Sequence, residues 1–347
     1  MRATPADDAY SRGVYFCSDS GQFSYAAFCL ADGLSQLGVP VYANIDASHA
    51  LATVSFSAAP EPALLSASYC AVLDVHGACD LFPNTVRRIA PIHERTVALC
   101  MHDNIANFII EGQLPLFCSH ENRFFQLSGV RIPIGFGVSQ KLLERSSWVP
   151  PFNARGAYAL KSFHPSLHQD VRAGMELLFE PNLQQQLRIE HRYTDSREAF
   201  WTLLQQSGFS LCYGGMFVQD LHRSPFFMSI EAVREFWEHI ECRATTVITR
   251  WDSWRFWESL ASGCVTIHLD FERYGFKLPV MPENWRQYIG IDMANAKQDV
   301  ERMMDEWGRM EEVAWNGRQW ALEHYSPVAV ARRFLETVRR LDGRAEV

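Results

Sequence analysis

Short apolar runs rich in β-branched residues alternate with amphipathic helical stretches along most of this chain. No other feature constrains the fold as strongly. Residues 13–18, 39–45, 69–75, 96–101 and 114–119 have strand character, and residues 25–37 carry helical spacing that stops at Gly38. Strands that alternate with helices predict a parallel sheet, and ligands of such sheets gather at the carboxyl ends of the strands. The runs end in polar residues at those positions: Asp19-Ser20-Gly21, Asp74 with His76-Gly77, His102-Asp103-Asn104 and His120-Glu121-Asn122.

The pattern breaks and then restarts. VRIPIGFGV at 130–138 and WVPPFNARG at 148–156 read as a junction. Beyond it, strands are expected at 157–163, 187–193, 209–213, 245–249, 264–269 and 288–291, with helices at 168–179 and 197–206. After residue 299 the chain turns helical, breaks at Ser326-Pro327 and ends in an amphipathic helix over 328–341. At 347 residues it exceeds a comfortable single core. The reading is α/β: a Rossmann-like domain over 1–140, a linker over 141–155, a second Rossmann-like domain over 156–325, and a terminal helix over 326–347.

Composition narrows the function. The net charge of −8 argues against a nonspecific nucleic-acid binder, whose footprint would be basic. None of the nine cysteines has C-x2-C spacing, and Cys17, Cys70, Cys100, Cys118 and Cys212 lie in or beside apolar runs, as reduced thiols do. The opening MRATPADDAYSR lacks a signal-peptide core, and no apolar run has the length to span a bilayer. A soluble cytoplasmic protein is expected.

The richest stretch is TRWDSWRFWESLASGCVTIHLD, residues 249–270. It reads as a polar turn, a short helix capped by Ser253, a stop at Gly263 and a buried strand. Trp254, Trp257 and Leu260 fall at helical spacing, and Glu258 precedes the small run Ala261-Ser262-Gly263. Amides at a helix N-terminus suit phosphate, and a carboxylate beside small residues suits a sugar hydroxyl. Together they point to a nucleotide-sugar site.

This segment resembles the C-domain signature of GT-B glycosyltransferases of the group 1 and exostosin-like families, here Arg255, Glu258, Gly263 and CVTIHLD. GFKLPVMPENWRQYIGID downstream resembles the exostosin-like continuation, and WNGRQWALEHYSPVAVARRFL the group 1 tail, whose last helix crosses back to the N-domain. The resemblance implies a donor on the C-domain, an acceptor on the N-domain, chemistry in a central cleft, and closure about residues 138–156. Retaining group 1 members often carry E-x7-E, whose first acid would fall at position 250. This chain has Arg250 there, with Asp252 as the nearest carboxylate, so stereochemistry is not assigned.

Roles follow for individual residues. Glu258 is expected on the ribose hydroxyls. Arg255 and the turn of Asp252, Ser253 and Trp254 are expected on the diphosphate, with Lys161 and Arg172 as further cations. Arg255 also has the i,i+3 spacing of an ordinary helix pair with Glu258. Tyr213 and Gly214 border the nucleotide or form a tight turn, and His164 contacts phosphate or caps a helix. In the N-domain, Gly21 and Gln22 belong to a loop facing sugar and acceptor. His102 is the candidate general base, having the appropriate pKa range, with Asp19 as the alternative. His76, His120 and Glu121 are weaker candidates by the same logic. No D-x-D motif stands at a strand end, so no obligatory metal and no cofactor beyond the donor is expected. Partners are the nucleotide sugar and a glycan, protein or lipid-linked acceptor, with peripheral membrane contact through the Arg-rich tail left open. Two rival readings remain: a sugar-nucleotide epimerase of the same fold, and a catalytically silent partner protein.

Overall fold

The computed structural model describes residues 5–18, 21–59, 62–75, 93–101, 114–124, 130–163, 170–194, 196–218 and 247–342. The chain divides into two compact units. One comprises Met1–Ser119, Leu127–Glu144 and Glu323–Val347, the other His120–Gln126 and Arg145–Leu322.

The first unit is a parallel sheet of six strands: β1 (Val14–Cys17), β2 (Val41–Ala43), β3 (Cys70–Val75), β4 (Thr96–Cys100), β5 (Leu116–Cys118) and β6 (Arg131–Pro133). Their order is β2-β1-β3-β4-β5-β6. Every residue of β1, β3, β4 and β5 is buried, which explains their mostly apolar sequences. The stretch read as a junction supplies β6, in register with β5 through Leu116↔Arg131. Pro133 is tolerated there because β6 lies at the sheet edge.

The chain returns to this unit at Glu323. The Pro327–Asp342 helix buries Val330, Ala331, Phe334 and Val338 on one stripe, with Phe334 against Phe117 at 5.1 Å between ring centroids. It packs so closely on the Tyr25–Gln36 helix that a Cβ at Gly33 would collide with the Pro327 carbonyl. Arg332, Arg339 and Arg340 occupy its solvent face.

The second unit is a parallel sheet of β7 (Gly156–Lys161), β8 (Arg188–His191), β9 (Ser207–Leu211), β12 (Val265–Leu269) and β13 (Ile289–Ile291), in the order β13-β12-β9-β7-β8. The run expected as a strand at 245–249 does not join it. Instead β10 (Met216–Val218) and β11 (Val247–Thr249) pair antiparallel as a separate ribbon. Among the described residues, seven cysteines are free and buried, and no helix is long and apolar enough to cross a membrane.

Candidate functional site

In the second unit the chain runs from β7 to β8 on one side, then crosses back to β9 on the other. The carboxyl ends of β7 and β9 therefore flank a topological switch point, where open α/β sheets bind ligands. The Trp254–Ala261 helix begins there. Arg255 Nε donates to the Ser162 carbonyl beyond β7 (3.2 Å), and the Ser253 hydroxyl donates to the Cys212 carbonyl beyond β9 (3.3 Å). Arg172 Nε reaches the Tyr213 carbonyl at 3.5 Å, with its guanidinium 4.4 Å from the Phe163 ring centroid. Gly215 makes the turn after β9 possible. Its φ is +135°, and a Cβ there would lie 2.6 Å from Ile248 Cγ2 and 3.0 Å from the Thr249 carbonyl oxygen.

Glu258 is buried at the heart of this arrangement, 4% exposed. Arg197 Nη1 donates to both of its oxygens (3.2 and 3.1 Å), and Trp201 Nε1 donates to Oε1 (2.8 Å). Burial pushes the carboxyl pKa up, while Arg197, Trp201 and Arg255 pull it back. An ionised carboxylate offers about four acceptor positions, so Oε2, with one partner among the described residues, has capacity for a hydroxyl. Burial likewise lowers the Arg255 pKa, opposed by Glu258 and reinforced by Arg197. Arg197 also lies over the half-buried Trp254 ring at 5.9 Å. Arg197 and Trp201 were not among the sequence candidates. They stand 61 and 57 residues away on another helix, with no local pattern to mark them.

Several expected roles change. Ser253 occupies the N-cap position, yet its hydroxyl makes no capping bond because it is turned to Cys212. The first-turn amides are thus not capped by that side chain. Asp252 does not present its carboxylate outward: it is buried, and Oδ1 accepts from Trp257 Nε1 at 2.7 Å. Lys161 is withdrawn from the phosphate set. Its ammonium is spent on Glu176 (2.6 Å) and both oxygens of Glu180 (2.6 and 2.9 Å). Tyr213 is fully buried with its hydroxyl donated to Glu180, and Gly214 is buried beside it, so this turn is a packed element of the crevice wall. His164 lies outside the described residues.

Two residues at this edge hold left-handed backbone, Arg250 (φ +57°) and His120 (φ +59°). Such conformations cost about 1–3 kcal/mol in non-glycine residues and cluster at functional sites. The Asp252 amide donates to His120 Nδ1 at 3.1 Å, which places the ring proton on Nε2. Glu121 is also buried, and its carbonyl accepts from Trp251 Nε1 at 3.2 Å.

The first unit has its own switch point, between β1 and β3. Gly21 and Gln22 are exposed beside it, with the Gln22 carbonyl accepting from Ser18 Oγ at 2.5 Å. His102, Asp19 and His76 lie outside the described residues. Asp74, the last but one residue of β3, is a buried carboxyl that accepts from the amide and the hydroxyl of Ser24, the cap of the Tyr25–Gln36 helix. Burial pushes its pKa up to about 7 despite those bonds.

No protein-family model matches this chain, and no curated protein sequence does. Solved structures do resemble it. An α-glucosyltransferase in complex with UDP-glucose and DNA containing an abasic site superposes with a TM-score of 0.57 at 7% identity, covering 94% of this chain and 98% of that one. An α-glucosyltransferase with UDP and a 13-mer DNA containing an HMU base gives 0.52 at 8% identity, covering 94% and 99%. At such identities the likeness speaks to architecture, and the two parallel Rossmann-like sheets with a terminal helix returned to the first unit are the GT-B fold.

Proposed function

We propose that this protein is a metal-independent glycosyltransferase that moves a sugar from a nucleotide-diphosphate donor to an acceptor hydroxyl. The observation that carries the reading is the meeting of Glu258, Arg197 and Arg255 at a helix N-terminus on the switch point of the second unit's sheet. Two guanidiniums and first-turn amides supply the positive field that a diphosphate leaving group needs, in place of a metal ion. Glu258 Oε2 accepts from a ribose hydroxyl. Structures sharing the fold hold UDP-glucose and UDP, which is consistent with this assignment. Acceptor activation falls to His102, with Asp19 as the alternative base. The α-glucosyltransferase structures hold DNA, whereas the net charge of −8 supports a glycan, protein or lipid-linked acceptor here.

The test is a thermal-shift screen of UDP, UDP-glucose and other nucleoside diphosphates, with and without EDTA. A ligand near a hundredfold above its Kd stabilises by about 2.7 kcal/mol, which moves the Tm by roughly 5–11 °C for a domain of this size. Glu258→Gln keeps the Trp201 bond and removes the charge. It is expected to weaken the nucleotide by about tenfold or more, read by calorimetry. A screen in which no nucleotide shifts the melt leaves the silent-partner reading in its place.

A further inference from the structure

The second unit carries a cavity at the opposite, amino-terminal edge of its sheet, where β7 begins at Gly156 and Gly263 leads into β12. Its volume is ≈ 570 Å³, within the range of small-molecule sites. Two tryptophans stand open on it, Trp148 at 69% and Trp315 at 58% exposure. Lining one cavity, the two indoles offer flat apolar faces that a ligand could cover.

Two arginines tie the walls of the cavity together. Arg155 donates to the Pro150 carbonyl (3.1 and 2.9 Å) and to the Ser262 carbonyl (2.9 Å), and Arg318 donates to Ala261 (3.1 Å) and Ser146 (2.7 Å) carbonyls. These bonds staple the loop bearing Trp148 to the end of the Trp254–Ala261 helix. Glu311 and Glu312 are exposed on the helix that bears Trp315, with Glu312 also 3.9 Å from Arg309. Among the described residues, two guanidiniums and two carboxylates line the cavity, and their formal charges cancel. An anion would meet the glutamates, and a cation would meet the arginines. A neutral polyhydroxylated ring meets neither obstacle: its C–H face covers an indole while its hydroxyls donate to the carboxylates.

We propose that this cavity is a saccharide-binding site separate from the donor crevice. None of its side chains takes part in the Glu258 arrangement, so it stands or falls independently of the nucleotide reading. The probes are maltotriose, cellotriose and triacetylchitotriose, followed by saturation-transfer NMR and by tryptophan fluorescence. At least one binds with a millimolar Kd. Trp148→Ala and Trp315→Ala each weaken it by about tenfold, and Glu311→Gln with Glu312→Gln also weakens it. The melting temperature and the affinity for UDP stay as in the parent, because both indoles are exposed. The proposal is overturned if no trisaccharide binds at about 20 mM, if binding survives both tryptophan variants, or if tetramethylammonium binds in their place. Saccharide binding without any nucleotide binding would sink the donor assignment alone.

Discussion

Lys161→Met tests whether the cation at the end of β7 is a structural ion or a phosphate ligand. The ammonium is 2% exposed and makes contacts of 2.6 Å with Glu176 and 2.6 Å with Glu180, whose own side chain is only 6% exposed. Tyr213 also donates to Glu180, and burial together with that carboxylate holds the Tyr213 pKa well above its usual value, so the phenol remains a donor. Methionine matches the stem of lysine but leaves Glu180 buried beside Glu176 without its counter-ion. Breaking a buried pair from one side costs about 3–5 kcal/mol, which for a domain of this size lowers the Tm by roughly 6–20 °C. Urea titration of Lys161→Met, Glu180→Gln and the double variant completes the cycle. The double variant is expected to recover about 1–3 kcal/mol relative to the sum of the single changes. Calorimetry with UDP should show little change in affinity. A loss under about 1 kcal/mol, combined with about a tenfold weaker UDP complex, would refute the reasoning and restore Lys161 to the phosphates.

Two further outcomes are expected. Asp74 binds its proton more tightly in the folded state, about 7 against 3.8 ordinarily, so its contribution to stability is full below pH 4 and drains as pH rises toward 7. The gap amounts to about 4 kcal/mol, and Asp74→Asn should flatten the fall in urea midpoint between pH 5 and 7.5; parallel curves would contradict it. Gly215→Ala forces a Cβ to 2.6 Å from Ile248 at a φ of +135°, and a loss of about 2–3 kcal/mol should appear in its thermal melt.

The strands of four or more residues were legible because burial on both faces writes a mostly apolar, β-branched run, as in VYFC of β1 and VTIHL of β12. Three-residue elements carry too little pattern. β6 was hidden by Pro133 and Gly-rich surroundings, and β11 looked like a sheet strand until its antiparallel partner Met216–Val218 was in view. The candidate site divides the same way. Glu258 and Arg255 stood out because helix spacing and a glycine stop are local signals. Lys161 misled because a lysine at a strand end looks alike whether it faces phosphate or Glu180, 19 residues on. Ser253 holds the cap position that its residue type favours, but the Cys212 carbonyl competes for its hydroxyl.

On the proposed donor reading, the ion pair at Glu258 explains why a buried carboxylate would belong in a site for an anion. Arg197 and Arg255 together with the helix N-terminus would place about two and a half positive charges in one crevice. Such a field is costly when no ligand is bound, and the two guanidiniums oppose each other. Glu258 cancels one charge and, through the paired bonds to Arg197, fixes where that guanidinium lies. Trp201 supplies the third bond that keeps the acid from being a lone buried charge. About one and a half positive charges remain, the balance that the proposed diphosphate would meet. Alanine at 258 would therefore remove more than the proposed ribose contact, since it would release Arg197 and leave two uncompensated cations beside one helix.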